Sequence, residues 1–261
     1  MRDDLDPDHP LARLYPEVVA GGFTRHDGFV EFFSRINALL PDKADVLDFG
    51  AGRGGWTDAP LSPYHRRLRD FRAAGHRVVG VDVDEVVTEN PSVDEAHVIT
   101  PGERLPLADD AFDLVFADHV LEHVDHADAP FVVSELQRVL RPGGWFAGRT
   151  PNKWGMIGVG ARMVPNDLHV RVLEKLQPGR QERDVFPTRY AMNTRRDLAR
   201  LFPADRWNLF VYGHASEPQY AGSSTAAWRA ASLVDRLTPP RLQPTLMVFA
   251  QLAQPRPSTT A

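Results

Sequence analysis

Apolar residues in this chain follow two spacings, one typical of buried β-strands and the other typical of amphipathic helices. Short apolar runs predict strands at 44–49, 77–81, 96–100, 112–117, 145–149, 207–212 and 246–252. Apolar residues three and four positions apart predict helices at 29–40, 127–140 and 194–201, and another helix begins near Tyr64. Because strands alternate with helices, the pattern predicts a parallel sheet with crossover helices on both faces.

Breaker residues divide the chain into one domain and two flanking segments. Proline and glycine interrupt residues 1–27, which are predicted to be an irregular arm. The polar tail at 254–261 is predicted to be disordered. The intervening residues 28–253 are predicted to fold as one domain.

Three stretches of this domain depart from the regular alternation. Residues 151–193 are rich in Arg, Pro and Gly and are expected to form a helical and loop insertion after the fifth strand, with short helices at 156–163 and 167–176. Residues 55–63 delay the first crossover helix and are either a flap over a binding site or a surface loop. The stretch at 228–237 predicts a surface helix that packs against the sheet.

Composition and charge mainly exclude or disfavour certain classes of protein and site. The chain has no cysteine, which excludes disulfides and thiolate metal sites and suits a reducing compartment. Its amino terminus lacks the apolar core of a secretory signal, and no apolar run is long enough to span a bilayer. The net charge of −5 disfavours general nucleic-acid binding, which needs a basic surface. We therefore expect a cytoplasmic protein that neither crosses a membrane nor binds nucleic acid.

The first predicted strand runs directly into a glycine-rich turn, Asp48-Phe49-Gly50-Ala51-Gly52-Arg53-Gly54. Glycines at such a turn let the backbone reverse sharply and approach a ligand closely. The second strand ends at Asp82, where a carboxylate can accept hydrogen bonds from both hydroxyls of a ribose. The alternative for this acid is a helix cap or a solvated strand end.

Phosphate binding fits the glycine turn less well. The glycine spacing differs from Gly-x-Gly-x-x-Gly, and Pro60 and Pro63 delay the helix whose amino end would hold a pyrophosphate. The turn also lacks the lysine of a nucleoside triphosphate site. A nucleoside without phosphates is the better fit.

Three further segments match a known family in its own order. The runs 105–116 (LPLADDAFDLVF), 119–124 (HVLEHV) and 138–145 (RVLRPGGW) resemble class I S-adenosylmethionine-dependent methyltransferases of the type 11 group. The resemblance extends over 46–152 and implies S-adenosylmethionine as the cofactor. It also implies an α/β, Rossmann-like fold, with a seven-stranded mixed sheet whose last strand is antiparallel and helices on both faces.

The resemblance implies a set of cofactor-binding positions. Carried over residue by residue, they are Asp48, Gly50, Ala51, Gly52, Gly54, Asp82, Val83, Asp118 and His119. The glycine turn would cradle the methionine part, the acid after the second strand would hold the ribose, and the following valine would pack on the adenine. The last two residues would line the methionine and the transferable methyl. Pro101 stands where many relatives have an aspartate, so adenine recognition would fall to backbone groups or Glu103.

Methyl transfer to a hydroxyl requires a base, and His123 is the candidate catalytic residue. Imidazole titrates near neutrality, and in relatives the corresponding histidine lies near the acceptor. The alternative is a structural histidine at a helix start. A metal site built from His119, His123 and His126 is not expected, because Glu122 is not placed as in His-Glu-x-x-His.

The acceptor is expected to be a small molecule bound beyond the carboxyl ends of the strands. Candidate substrate-binding residues in the acceptor-pocket insertion are Asn152, Arg180, Arg189 and Tyr190. Nine basic and five acidic residues lie between 162 and 200. They indicate either an anionic acceptor or arginines that pair with acids on helix surfaces.

The leading functional hypothesis is methylation of a hydroxyl on a glycan, a lipid-linked sugar or a natural-product intermediate. Nitrogen or carbon methylation is the alternative enzymatic reading. A non-catalytic module that keeps the methyltransferase fold is the alternative outside enzymes, since fold alone does not settle function.

Overall fold

The computed structural model describes residues 8–155, 188–218 and 221–254. Its strands are β1 (Asp45–Phe49), β2 (Arg77–Asp82), β3 (Glu95–Val98), β4 (Phe112–Asp118), β5 (Leu140–Pro151), β6 (Trp207–His214) and β7 (Thr245–Leu252). Its helices are α1 (Pro10–Leu14), α2 (Gly28–Leu39), α3 (Pro63–Arg69), α4 (Ala129–Val139), α5 (Arg195–Leu201) and α6 (Thr225–Leu237). The predicted helices at 156–163 and 167–176 and the tail from 255 lie outside the described residues.

All seven described strands form one sheet in the order β3-β2-β1-β4-β5-β7-β6. Strands β1 to β5 pair with one another in parallel, whereas β7 pairs antiparallel with both β5 and β6. The predicted mixed sheet with an antiparallel last strand is therefore confirmed. The strand order reverses between β1 and β4, and α/β sheets bind ligands in the crevice at such a point.

Helices cover the two faces of the sheet with separate apolar clusters. On one face, α2 buries Phe32, Phe33 and Ile36 against Phe116 of β4. On the other face, α4 buries residues such as Leu136 against the remaining side of the same strands. Full burial of one large apolar side chain contributes about 1.5–3 kcal/mol, so these helix faces hold the sheet in place.

A buried ion pair connects α3 to the end of β1. The Arg69 guanidinium donates to Asp48 Oδ2 at 2.6 Å, and the two side chains are only 9% and 3% exposed. The guanidinium also lies over the ring of Phe116. Burial raises the pKa of the Asp48 carboxyl above its usual range, against the opposing effect of Arg69. The Asp48 side chain is thus engaged in a structural ion pair inside the fold.

A histidine joins the capped starts of α2 and α3. Asp27 caps α2 by accepting from two backbone N–H groups, and Ser62 caps α3. The His65 ring lies 2.7 Å from Ser62 Oγ through Nδ1 and 2.7 Å from Asp27 Oδ2 through Nε2. Arg66 in addition donates to two carbonyls of the 55–63 stretch. These contacts fix that stretch against the two helix starts.

The amino-terminal segment differs from the predicted irregular arm. It contains α1 and a 3-10 helix at Pro16–Val18, and Leu11 and Val18 of these elements pack around Trp228 of α6. The Trp228 indole N–H donates to the carbonyl of Gly222 at 2.6 Å. The buried tryptophan of this helix thus faces the arm, whereas its Asp235 and Arg236 share a pocket with Gly213 and His214 of β6. Packing of the helix against the sheet stays a prediction.

No helix in the ranges 8–155, 188–218 and 221–254 is long and apolar enough to cross a membrane.

The Arg69–Asp48 pair leads to a stability prediction. Arg69→Met leaves a buried carboxylate without its cation, so we expect the free energy of unfolding to fall by about 3–5 kcal/mol. The double variant Asp48→Asn/Arg69→Met removes both charges and should recover most of that loss. Urea denaturation followed by circular dichroism measures both values. A loss below 1 kcal/mol for the single variant would contradict the structural role of this pair.

Candidate functional site

A cavity of about 950 Å³ opens at the carboxyl ends of the parallel strands. Its walls are the glycine turn after β1, the loops after β2 and β3, the turn after β4, the start of α4 and residues 188–190. Ligand pockets range over roughly 300–1,000 Å³, so this cavity can hold a nucleoside cofactor together with a small second molecule.

The glycine turn presents open backbone to the cavity. Gly52 has a φ of +50°, a conformation that favours glycine. A Cβ atom at this position would meet no heavy atom closer than Asp82 Oδ2 at 3.9 Å, so it would occupy space on the cavity side. The position therefore leaves open space that a ligand can occupy, while its positive φ favours glycine over other residues.

Asn90 supports the turn from behind and was not identified from the sequence. Its side-chain amide donates to the carbonyls of Ala51 and Gly52 at 3.0 Å each. Its Oδ1 accepts from the backbone N–H and hydroxyl of Ser92. A Cβ on Gly54 would collide with this side chain. An asparagine eight residues beyond the second strand carries no sequence signal, because its partner turn lies far back in the chain.

Asp82 lies at the cavity edge with its carboxylate oriented by backbone donors. Oδ2 accepts from the N–H of Gly52 at 2.8 Å and Oδ1 accepts from the N–H of Asp84 at 3.0 Å. Each carboxylate oxygen can accept a further hydrogen bond. Val83 follows on the wall and is 45% exposed, which leaves an apolar surface free for a flat ring.

The loop after β3 supplies a further part of the cavity wall. Thr100, Pro101, Gly102 and Glu103 all line the cavity there. We expected backbone groups of this loop or Glu103 to contact the adenine in place of the aspartate found in relatives. These residues do line the cavity, and the contact itself stays a prediction.

Charge on the cavity wall is predominantly negative. The acidic lining residues are Asp82, Asp84, Glu103, Asp118, Glu122, Asp125, Asp128 and Glu135, and the arginines are Arg53 and Arg189. S-adenosylmethionine carries a sulfonium and an ammonium group, both of which are stabilised by nearby carboxylates. Together with the open cradle at Gly52, this charge shows that the residues present fit that cofactor.

An arginine pairs with the carboxylate at the end of β4. Arg149 donates through Nε and Nη2 to the two oxygens of Asp118, at 2.7 and 2.8 Å. Burial alone would raise the pKa of Asp118, but Arg149 outweighs this effect and holds the pKa below its usual range. Asp118 is therefore a fixed negative charge on the cavity wall.

The turn after β4 holds both histidines that the sequence singled out. His119 has a φ of +59° and lines the cavity, with Nδ1 3.2 Å from Oε1 of the buried Glu122. His123 also lines the cavity, and its backbone N–H donates to the carbonyl of Val120 at 2.9 Å. The other oxygen of Glu122 accepts from the hydroxyl of Thr150 at 2.9 Å.

Two of the predicted site residues do not line the cavity. Asp48 is buried against Arg69 beneath the glycine turn. Asn152 is 5% exposed, and its amide donates to the carbonyls of Arg241 and Gln243. Both side chains face the fold because strand ends point alternate residues to opposite sides. Both side chains therefore have structural contacts within the fold, and their predicted ligand contacts stay predictions.

The segment at 188–190 brings two predicted substrate residues to the cavity. Arg189 and Tyr190 both line it, and their backbone N–H groups donate to the carbonyl of Glu122 at 2.7 and 3.2 Å. The Arg189 guanidinium lies 3.2 Å from Asp125. Arg180 lies outside the described residues. No group of three or more His, Asp or Glu in the described part of the chain is arranged to hold a metal ion.

Comparison with known proteins finds similar sequences over part of the chain. Residues 47–148 match the family profile described as "Methyltransferase domain". A probable S-adenosylmethionine-dependent methyltransferase of Mycolicibacterium smegmatis is 36% identical over 159 residues, which are 57% of this chain and 56% of that protein. A dimethylglycine N-methyltransferase of Parasynechococcus marenigrum is 29% identical over 43% of this chain and 39% of that protein. The chain thus matches about half of the first relative's length and less of the second's.

Solved structures share the fold at low sequence identity. A SAM-dependent methyltransferase from Methanosarcina mazei has a TM-score of 0.52 and 16% identity, over 85% of this chain and 98% of that chain. One from Archaeoglobus fulgidus has a TM-score of 0.51 and 15% identity, over 92% of this chain and 98% of that chain. The strand order and the glycine turn agree with the family profile, so residues 47–148 match a methyltransferase domain.

Proposed function

We propose that this protein is a methyltransferase that transfers the methyl group of S-adenosylmethionine to a small-molecule acceptor, with a hydroxyl as the preferred acceptor group. The observation that carries the proposal is one acidic cavity of about 950 Å³ that contains both the glycine cradle and two histidines. When bound, the cofactor supplies an electrophilic methyl group on a positively charged sulfur.

The geometry of the cradle supports the following cofactor positions. The backbone of Gly50, Ala51, Gly52 and Gly54 faces the methionine part, and Asp82 accepts from the ribose hydroxyls. Val83 packs on the adenine, while Asp118 and His119 lie at the methionine end. The negative wall holds the cofactor's positive charges and excludes a phosphorylated nucleotide by repulsion.

A hydroxyl acceptor is supported by the histidines on the wall. A hydroxyl must lose its proton during methyl transfer, and an imidazole within hydrogen-bond reach can accept it. Arg189 and Tyr190 lie at the same end of the cavity and can orient the acceptor. The preferred acceptors are hydroxylated sugars, lipid-linked sugars and natural-product intermediates.

Nitrogen methylation is the second candidate, and the charge of the wall favours it. Carboxylates attract an amine, and one relative is named a dimethylglycine N-methyltransferase. Another relative, from Methylococcus capsulatus, is named a malonyl-[acyl-carrier protein] O-methyltransferase. The domain therefore occurs in proteins named for both kinds of acceptor.

Cofactor binding should depend on Asp82. Asp82→Ala removes hydrogen bonds between a charged acceptor and the ribose hydroxyls, each worth about 1.5–3 kcal/mol. We expect the Kd for S-adenosylmethionine to rise by at least about tenfold in isothermal titration calorimetry. Glu89→Ala, an exposed acid that does not line the cavity, is the matched control and should leave the Kd unchanged. Equal affinities for wild type and Asp82→Ala would contradict the ribose assignment.

Acceptor binding should depend on Arg189. With each acceptor that turns over S-adenosylmethionine in a panel of hydroxylated and amino compounds, Arg189→Gln should raise the acceptor KM and leave the cofactor Kd unchanged. Arg196→Gln changes an exposed arginine of α5 and serves as the control. An unchanged acceptor KM would remove Arg189 from the acceptor site. No turnover by a wild type that binds the cofactor would instead favour the non-catalytic module.

A further inference from the structure

We propose that His119, oriented by Glu122, is the group that takes the proton from the acceptor. This inference rests on the proposed function and assigns the base to a different histidine from the one that the sequence favoured. It is carried by a chain of hydrogen bonds behind the cavity wall.

The chain of hydrogen bonds begins at a buried asparagine. The Asn193 amide donates to Thr150 Oγ1 at 2.7 Å, and the Thr150 hydroxyl lies 2.9 Å from Glu122 Oε2. Because Asn193 supplies a proton to the hydroxyl oxygen, the hydroxyl is free to donate its own proton onward to Glu122. Glu122 is only 4% exposed, so its position is fixed by the fold.

The carboxylate of Glu122, which can only accept hydrogen bonds, indicates which ring nitrogen of His119 carries a proton. Nδ1 lies 3.2 Å from Oε1 of Glu122, an acceptor, so Nδ1 must be the donor. A neutral imidazole with its proton on Nδ1 has its lone pair on Nε2. Within the described residues Nε2 makes no hydrogen bond, and Asp118 Oδ1 lies 4.0 Å away. Nε2 is therefore available to accept a proton from a bound molecule.

The arrangement is that of a base held by a carboxylate, as in other enzymes in which a third group orients a histidine. His119 lines the cavity with 48% of its side chain exposed, whereas Glu122 behind it is buried. His119 has a left-handed backbone conformation, which is uncommon outside glycine. This residue follows the end of β4 and lines the cavity. Such strain is found where the surrounding structure enforces a functional orientation.

Charged groups approach His119 from each element packed around it. Glu122 lies on its own turn, Asp118 ends β4, and Arg149 of β5 neutralises Asp118 through two hydrogen bonds. At the rim, the guanidinium of Arg189 is paired with a carboxylate. After proton uptake, the imidazolium would therefore face the carboxylate of Glu122, which stabilises it.

The reaction balances around this residue. The acceptor's O–H proton moves to Nε2, and the oxygen lone pair forms the bond to the methyl carbon. The electron pair of the broken carbon–sulfur bond stays on sulfur, which becomes a neutral thioether. The imidazolium then releases its proton to water. Glu122 takes up no proton in this scheme and acts as a positioning residue.

The tautomer of His119 can be measured without any acceptor. Long-range ¹H–¹⁵N NMR of the wild-type protein should show neutral His119 with its proton on Nδ1. In Glu122→Gln, the Thr150 hydroxyl should take the amide oxygen, which turns the amide NH₂ toward Nδ1 and moves the ring proton to Nε2. Glu122→Gln/Thr150→Val frees the oxygen again and should restore the Nδ1 tautomer. A wild-type His119 with its proton on Nε2 would overturn the inference.

Kinetics with an acceptor identified in the panel then test the catalytic role. His119→Asn, which tolerates the left-handed backbone, should lower kcat by about 100-fold or more and remove the fall in kcat/KM toward acid pH. His123→Asn should keep that pH dependence, and the exposed His126→Asn should match the wild type. Glu122→Gln should lower kcat, and the double variant with Thr150→Val should recover part of it. Loss of the pH dependence in His123→Asn alone would overturn the assignment.

Failure of the proposed function has a different signature. A wild type that binds S-adenosylmethionine but methylates no acceptor contradicts the proposed function, whatever the tautomer of His119. A wild type that methylates an acceptor while His119→Asn retains its rate and pH profile contradicts only the assignment of the base.

Discussion

Three carboxylates at one edge of a parallel sheet are the constraint on which the rest of the site depends. Asp48, Asp82 and Asp118 lie close to the carboxyl ends of three adjacent strands, and burial and the other two charges raise the pKa of Asp48. Arg69 pairs with the first acid and Arg149 with the last. Asp82 instead accepts from backbone N–H groups, which orient it without neutralising it.

The cavity wall is therefore negative, but the buried carboxylates of Asp48 and Asp118 are each paired with an arginine. The two arginines are mostly buried, and each lowers the pKa of the acid that it pairs with, which favours the ionised form. A cationic cofactor bound at this edge places positive charge near the acids that have no arginine partner, and this attraction stabilises the complex. Structure and binding are therefore coupled through one cluster of charges, and the Asn90 support keeps the glycine turn open beside it.

The backbone of the site was predictable from the sequence, but the direction of individual side chains was not. Strand periodicity and the family motifs predicted the mixed sheet, the glycine turn and Asp82 at its edge. The contacts of Asp48 and Asn152 within the fold were not foreseen, because a residue's place in a motif does not determine which side of the strand end it faces. The packing of Trp228 against the amino-terminal helices was missed because contacts between distant segments leave no periodic signal.

At the turn after β4, too, the sequence predicted the position of the residues but not the contacts of their side chains. The sequence placed two histidines there and favoured His123 as the base, since motif position was the only available criterion. The structure adds the buried carboxylate of Glu122 and its hydroxyl partner Thr150, which lie 3 and 31 residues from His119 in the chain. Only the folded arrangement reveals that a hydrogen-bond chain ends at His119.

The most direct test of the cofactor site is a crystal structure of the protein with S-adenosylhomocysteine. We expect the ribose hydroxyls on the Asp82 carboxylate, the amino-acid part along the backbone of Gly52, and the sulfur toward the turn that carries His119. Ligand density elsewhere in the protein, or a ribose turned away from Asp82, would contradict the assignment of this cavity as the methyl-transfer site.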